Sequence, residues 1–430
     1  MIRSLGNGVS GLNNHQIKMD VVGNNIANVN TIAFKKGRVT FNEVLAQEFL
    51  ASGRTPGGEP TNPSFVGLGI HVGTIDQAWT QGPLESTNIP TDFAINGDGF
   101  FVARRGAEFL MSRAGNFVLS KNGNLISSSG LPIQGFPIDP VTGQTDLTQL
   151  ADISIDLNAK ASPVFTSGVT LAGNIDSAMS NNGGVSPDNH AFTSFVYDEK
   201  GDKHNVTFDF TKTSADGVSP ATYDVTVSGD ATLQPFGATP TTFSVAFATD
   251  GSLQSVDGVA ITDPAFTPPA LAWDAAYVNA TGTDTVSIDL TGLTQFRENS
   301  SALVSDQNGK PSGQFVGFRT TNEGVIQMDF DSGHTVDVYQ IALGKVANNG
   351  GLTQKGENVY SATSVSGELQ FGRAGSEITS AIISGTLEMS NVELATEFSD
   401  MIKTQRGFQA SARVIRTSDE ILSETINLKR

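Results

Sequence analysis

Gly6, Gly8 and Gly11 stand at the G-x-G-x-x-G spacing that lets a backbone approach a pyrophosphate. That chemistry needs a strand ahead of the first glycine, and only five residues precede Gly6. Small residues in a first helix, allowing close helix approach or local flexibility, are the better reading. His15, His71, His190, His204 and His334 are scattered with no i,i+4 pair. Metal binding or general-base work needs convergent ligands, so surface or internally satisfied imidazoles are expected. The acidic stretches 198–202 and 329–331 lack the spacing and terminal Glu of a calcium loop and read as hairpin turns. Cysteine is absent, which removes thiolate nucleophiles, disulfides and zinc–sulfur sites. No G-x-S-x-G, P-loop or paired-carboxylate signature stands out. We therefore expect no catalytic residues, no metal, no cofactor and no enzyme.

The remaining signals concern assembly. The chain has 430 residues, room for two to four domains, and a formal net charge of −18, which argues against a nucleic-acid partner. The charge is uneven. Residues 1–40 carry five Lys or Arg against Asp20 alone, whereas residues 197–298 carry fourteen Asp or Glu against four Lys or Arg. The middle thus reads as a solvated outer surface and the ends as the assembly elements. No apolar run approaches the ~18 residues of a membrane span, so no membrane insertion is expected. The opening nine residues have Gly, Asn and Ser where a signal peptide needs its apolar block, so any export is expected to use a route without a cleavable signal.

Two hydrophobic ladders at 3-4 spacing mark the ends. Leu5, Val9, Leu12, Met19 and Ile26 form one, with Gln16 and Gly23 in line. Leu387, Leu394, Phe398, Met401, Phe408, Ile415, Leu422 and Ile426 form the other, with Asn391, Gln405, Ala412 and Asp419 in line. Each predicts an amphipathic helix with one apolar seam. Helices of roughly 40 Å and 60 Å are too extended to fold back into the middle of the chain, so they should pair with each other and with other copies. Asn28, Asn30 and Thr31 should end the first helix, and residues 34–49 are read as a short second one. The stretch 52–69 holds too many Gly and Pro for a core element and reads as an extended arm. Its apolar Phe65, Val66 and Leu68 point to docking on a neighbouring copy, where the arm would stiffen the assembly. Period-two alternation follows at 70–79, 93–103 and 117–126, with Asn122-Gly123 as a hairpin signal. Residues 162–296 read as an all-β domain. The expectation is a multidomain fold, terminal α-helices forming a coiled coil with nested all-β outer domains. Its divisions are 1–30 with 387–430 (helical), 31–69 with 348–386 (connecting arm), 70–161 with 297–347 (β) and 162–296 (inserted β).

The segment 4–35 carries Asn24, Asn25, Ile26, Ala27 and Asn28 followed by Thr31, Phe34 and Lys35. It resembles the N-terminal signature of the bacterial flagellar rod, hook and hook-associated axial proteins. That family has Gly before the Phe, where this chain has Ala33. LEMSNVELATEF and QRGFQASARVI, the latter containing Gln405 and Arg406, resemble the C-terminal signature, and INGDGFFV, SRAGNFVLSKNGNLI and LPIQGF the shared β motif. The inserted β domain places the chain nearer the hook members than the shorter rod subunits, while the arm keeps a distal-rod subunit as the alternative. A secreted enzyme or adhesin carrying such termini is the alternative of another class. The resemblance implies a non-enzymatic subunit that polymerises into a curved tube and transmits motor torque to the filament. It implies self-association, contact with distal rod, hook cap and hook–filament junction proteins, and passage through the flagellar export apparatus to an extracellular hook at the basal body. Phe41 and Leu45 resemble the F-x-x-x-Φ element that engages the export gate; the competing reading is that Phe41 packs the short second helix.

Overall fold

The computed structural model describes residues 2–50, 64–139, 142–182, 188–229, 240–264, 266–273 and 285–427. Two compact units emerge, one of Met1–Asp156, Phe318–Met328 and Val336–Arg430, the other of Leu157–Gly317 with Asp329–Thr335. The second unit is thus wider at both ends than the expected insertion at 162–296.

The first unit opens with helix α1 (Ile2–Ala27), which stops where Asn28, Asn30 and Thr31 disfavour continuation. Residues 34–49 do not form the expected second helix. Strand β1 (Gly37–Glu43) runs antiparallel to β4 (Ile70–Gln77), setting Val39 against Ile75 and Phe41 against Val72. β2 (Gln47–Leu50) pairs with β3 (Ser64–Val66). A short apolar run leaves helix and strand indistinguishable by period, and the β-branched and aromatic content of Arg38–Phe41 resolves here in favour of the sheet.

Early strands then pair with late ones. β5 (Leu84–Ser86) pairs with Thr386–Glu388, and β6 (Phe93–Gly97) with Ser380–Ser384. β7 (Phe100–Arg105) forms a hairpin with β8 (Glu108–Ser112) and pairs on its other edge with Leu343–Lys345. Phe93, Ile95, Phe101, Leu110 and Ile382 are fully buried between these strands. Trp79 meets Phe100 and Tyr360 edge-on, with ring centroids 5.4 and 5.0 Å apart. The Asn122-Gly123 turn joins Val118–Leu119 to Leu125–Ile126 as a hairpin. The unit ends in helix α2 (Leu394–Asn427). Leu387, assigned to the C-terminal helix by its ladder, lies instead in the strand Thr386–Glu388, opposite Glu85.

The second unit is all β among its described residues. Strands 189–197, 203–212, 221–229, 241–247, 253–256 and 259–260 form an antiparallel meander, while Gly168–Asp176 runs parallel to Thr285–Phe296. Alternate residues point inward, so Phe208, Phe210, Tyr223, Val225, Phe243 and Val286 share one core. Residues 198–202 form the turn from Tyr197 to Lys203, where Asp198 Oδ1 accepts from the Lys200 and Asp202 amides.

Candidate assembly site

α1 and α2 pack antiparallel. As α1 advances from Ser4 to Asn25, its partners recede along α2 from Ser418 to Glu397. The Ser4 and Ser418 hydroxyls lie 3.2 Å apart, and Asn25 Nδ2 donates to Glu397 Oε2 at 3.0 Å. Between these ends the contact depends on small residues. A methyl at Gly8 would sit 2.9 Å from Ile415 Cγ1, and one at Gly11 2.8 Å from Ser411 Oγ. Gly8 and Gly11 thus serve close helix approach, and α1 supplies no phosphate loop.

The line of α2 that faces α1 is 397, 401, 404, 408, 411, 415, 418 and 422, a continuous 3-4 repeat in which Glu397, Thr404 and Ser418 are buried. Of the expected seam, Met401, Phe408, Ile415 and Leu422 lie on that line. Leu394, Phe398 and Ile426 do not; they stay exposed, as do Gln405 and Arg406. On α1, Leu5, Leu12, Met19 and Ile26 are half-buried and Val9 is exposed, because Gly8, Gly11, His15 and Asn25, which immediately precede Val9, Leu12, Gln16 and Ile26, take the contact. The α1 ladder and the alternate half of the α2 ladder are thus displaced by one position, because the close helix pair fills those places with Gly, Ser and Thr.

The segment after α1 is fixed by polar side chains. Asn28 Nδ2 donates to Asn24 Oδ1 at 2.6 Å, and Thr31 Oγ1 donates to Asn28 Oδ1 at 3.0 Å, closing the end of the helix. Asn25 also donates to Gly37 O and accepts from Gly37 N, both at 2.9 Å, which orients the entry into β1. Ala27 is exposed and Phe34 half-buried. Ala33 is fully buried at φ +56°, a left-handed conformation that explains why glycine suits the position. Lys35 Nζ reaches Glu388 Oε1 at 2.5 Å and Thr80 O at 2.9 Å. Arg113 Nη1 lies 3.5 Å from the other Glu388 oxygen, and all three side chains are essentially buried. Burial lowers the Lys35 pKa although Glu388 opposes it, and burial likewise lowers that of Arg113. Asn391, just ahead of α2, accepts from Lys36 N and donates to Ala78 O, each at 2.8 Å. It is a junction residue, where the ladder made it a polar break in the helix seam.

Sequence reasoning did not single out Glu388, Glu397 and Arg113. The first two sit inside the quoted motif LEMSNVELATEF, and a buried Lys35 demands a carboxylate. Phe41 is half-buried in β1 and edge-on to His15 at 6.2 Å, so the helix-packing reading falls with the helix itself, while Leu45 is 84% exposed. Phe65, Val66 and Leu68 are exposed, and Asn7 Nδ2 donates to Gly67 O at 3.3 Å. The rest of the arm, 52–63, lies outside the described residues. His204 is buried with Nε2 3.2 Å from Asp198 Oδ2, inside the second unit and outside the one that holds the helix pair. Among the described residues no group of three or more His, Asp or Glu is placed to hold a metal ion.

Family models match along the chain: "Flagella basal body rod protein" over 5–35, "Flagellar hook protein FlgE/F/G D1 domain" over 94–172, "Flagellar basal body protein FlaE D2 domain" over 170–310 and "Flagellar basal body rod FlgEFG protein C-terminal" over 383–428. The chain is 36% identical over 468 residues to the flagellar hook protein FlgE of Treponema pallidum, covering 100% of both chains. It is 35% identical to that of Borreliella burgdorferi, covering 100% of both, and 31% identical to that of Salmonella typhimurium, covering 99% of this chain and 100% of the relative. A crystal structure of Helicobacter pylori flagellar hook protein FlgE2 aligns with TM-score 0.49 at 14% identity, over 69% of this chain and 98% of that one. With end-to-end identity at this level, and with both terminal signatures occupying one buried junction, the chain belongs to the flagellar hook protein FlgE family.

Proposed function

We propose that this chain is a structural subunit of the bacterial flagellar hook, polymerising into a flexible curved tube that transmits motor torque to the filament. The observation that carries the proposal is the apolar surface left over after α1 and α2 pair. Leu394, Phe398, Ile402, Val414 and Ile421 remain 40, 50, 57, 42 and 53% exposed on one helix. Burying the exposed half of each against another copy contributes about 1 kcal/mol per side chain, and many copies multiply that along a tube. The relatives that match along the whole chain are named hook proteins, so the distal-rod alternative is not favoured.

In this reading the helix pairs of many copies join as a coiled-coil inner tube, stiff in twist, and the acidic β domains make wet, weak contacts that slide as the tube bends. The finer division into helical, arm, β and inserted β domains belongs to the same reading, as do contacts with distal rod, cap and junction proteins. Leu45, exposed and free of packing duties, is the part of the 41–45 run suited to engage an export gate. Phe65, Val66 and Leu68, exposed at the arm's base, are suited to a neighbouring copy. Purified chain, concentrated and seeded, should give helical tubes by electron microscopy; a chain that stays monomeric at any concentration overturns the proposal.

A further inference from the structure

Apart from Ile426 near its C-terminal end, the exposed large apolar side chains of α2 fall into two groups, at opposite ends of the helix and on opposite flanks. The direction of α1 is the mean of the line 397, 401, 404, 408, 411, 415, 418 and 422, the less exposed side of α2, which carries the contacts at Glu397, Ser411, Ile415 and Ser418. At ~100° per residue, Leu394, Phe398 and Ile402 lie on average about a quarter-turn to one side of that direction, and Val414 and Ile421 about a quarter-turn to the other. Facing directly away from α1 are Arg406 and Arg413, exposed and without an ion pair among the described residues. Unpaired guanidinium groups resist a dry contact, so the flanks are the faces that other copies can cover.

The two groups are not level. The centre of the first lies about 20 residues before that of the second, roughly 30 Å along the axis. Helices placed level, flank to flank and pointing the same way, would set Val414 and Ile421 against the Arg416 and Asp419 of the neighbour, and Phe398 against its Lys403. Such an arrangement buries charge against apolar groups on both sides.

We propose that α2 of one copy packs flank to flank on α2 of the next in parallel, shifted by about 30 Å, the rise of some 20 helical residues, so that Val414 and Ile421 of one cover Leu394, Phe398 and Ile402 of the other. The inference rests on the polymer reading above and adds its geometry. The two patches differ, so the contact is heterologous: every copy offers both halves, and association runs on as a helical array rather than stopping at a pair.

The absence of cysteine allows a direct test. A chain carrying Ile402→Cys with Ile421→Cys, assembled and then oxidised, should give a covalent ladder on a denaturing gel, because the shift brings these two positions face to face, within the ~7 Å Cα separation that a disulfide can bridge. Leu394→Cys with Val414→Cys is a second pair at the same shift, for use if the first hinders assembly. Neither Ile402→Cys nor Ile421→Cys alone should give dimers, and the level pair Phe398→Cys with Lys403→Cys should give no ladder. Ile421→Glu should raise the concentration needed for assembly about tenfold, a loss near 1.4 kcal/mol, while the melting of the monomer's β units stays unchanged. Dimers from a single cysteine, a ladder from the level pair, or wild-type tubes in which neither shifted pair cross-links would each overturn the stagger and leave the polymer reading standing. Failure of the wild-type chain to form tubes removes both.

Discussion

Replacing Glu388 by Gln tests whether the two ends of the chain are locked together by the buried junction. Its carboxylate is wholly buried and accepts from Lys35 Nζ at 2.5 Å and from Gly82 N at 2.9 Å, with Arg113 Nη1 3.5 Å away. The amide keeps the shape and loses the charge, leaving Lys35 and Arg113 facing each other in a site with little water. Breaking a buried pair by removing one partner costs about 3–5 kcal/mol. At 2–4 °C per kcal/mol for a unit of this size, the melting transition of the first unit should fall by roughly 6–20 °C. The all-β second unit contains none of these residues, so its transition should not move. Thermal unfolding followed by circular dichroism on monomeric chain separates the two. Arg38→Ala is the control: its pair with Asp76 is 2.6 Å long but its side chain is 68% exposed, and such a pair is worth less than about 1 kcal/mol. If Glu388→Gln costs no more than Arg38→Ala, the junction is solvated and the argument from burial is wrong.

Three further outcomes are expected. Gly11→Leu must push Ser411 aside and should weaken the helix pair by about 1–3 kcal/mol, read as faster amide exchange in α1, whereas Gly6→Leu, with open space around it, should leave exchange unchanged. Leu45→Ala should leave the melting temperature untouched but reduce secretion; normal secretion would remove the export role from this position. Glu377, held to a pKa of about 2 chiefly by its hydrogen bond to Arg373, contributes stability that is fully present above the unfolded value of about 4.5 and fades as pH falls toward 2. Because the pair is partly exposed, acid titration of Glu377→Gln should differ from wild type by less than about 1 kcal/mol.

The sequence by itself determined that both ends are amphipathic helices, that the middle is β, and where tight turns fall, because each of these depends on local period and local turn chemistry. The 3-4 repeat also sets Met401, Phe408, Ile415 and Leu422 on the half-buried line of α2 that faces α1. Tertiary structure decided the other half of the seam. Gly8, Gly11, Ser411 and Ser418 carry no apolar signal, yet small size is what lets two backbones approach, so the true contact line runs beside the ladder and leaves Phe398 and Leu394 in water. Strand β1 was decided the same way: Val39 and Phe41 suit helix or sheet, and only pairing with Ile75 and Val72 selects one. The Lys35–Glu388 bond joins residues 353 positions apart. No local pattern encodes such a pairing, because what selects it is the cost of burying either charge alone.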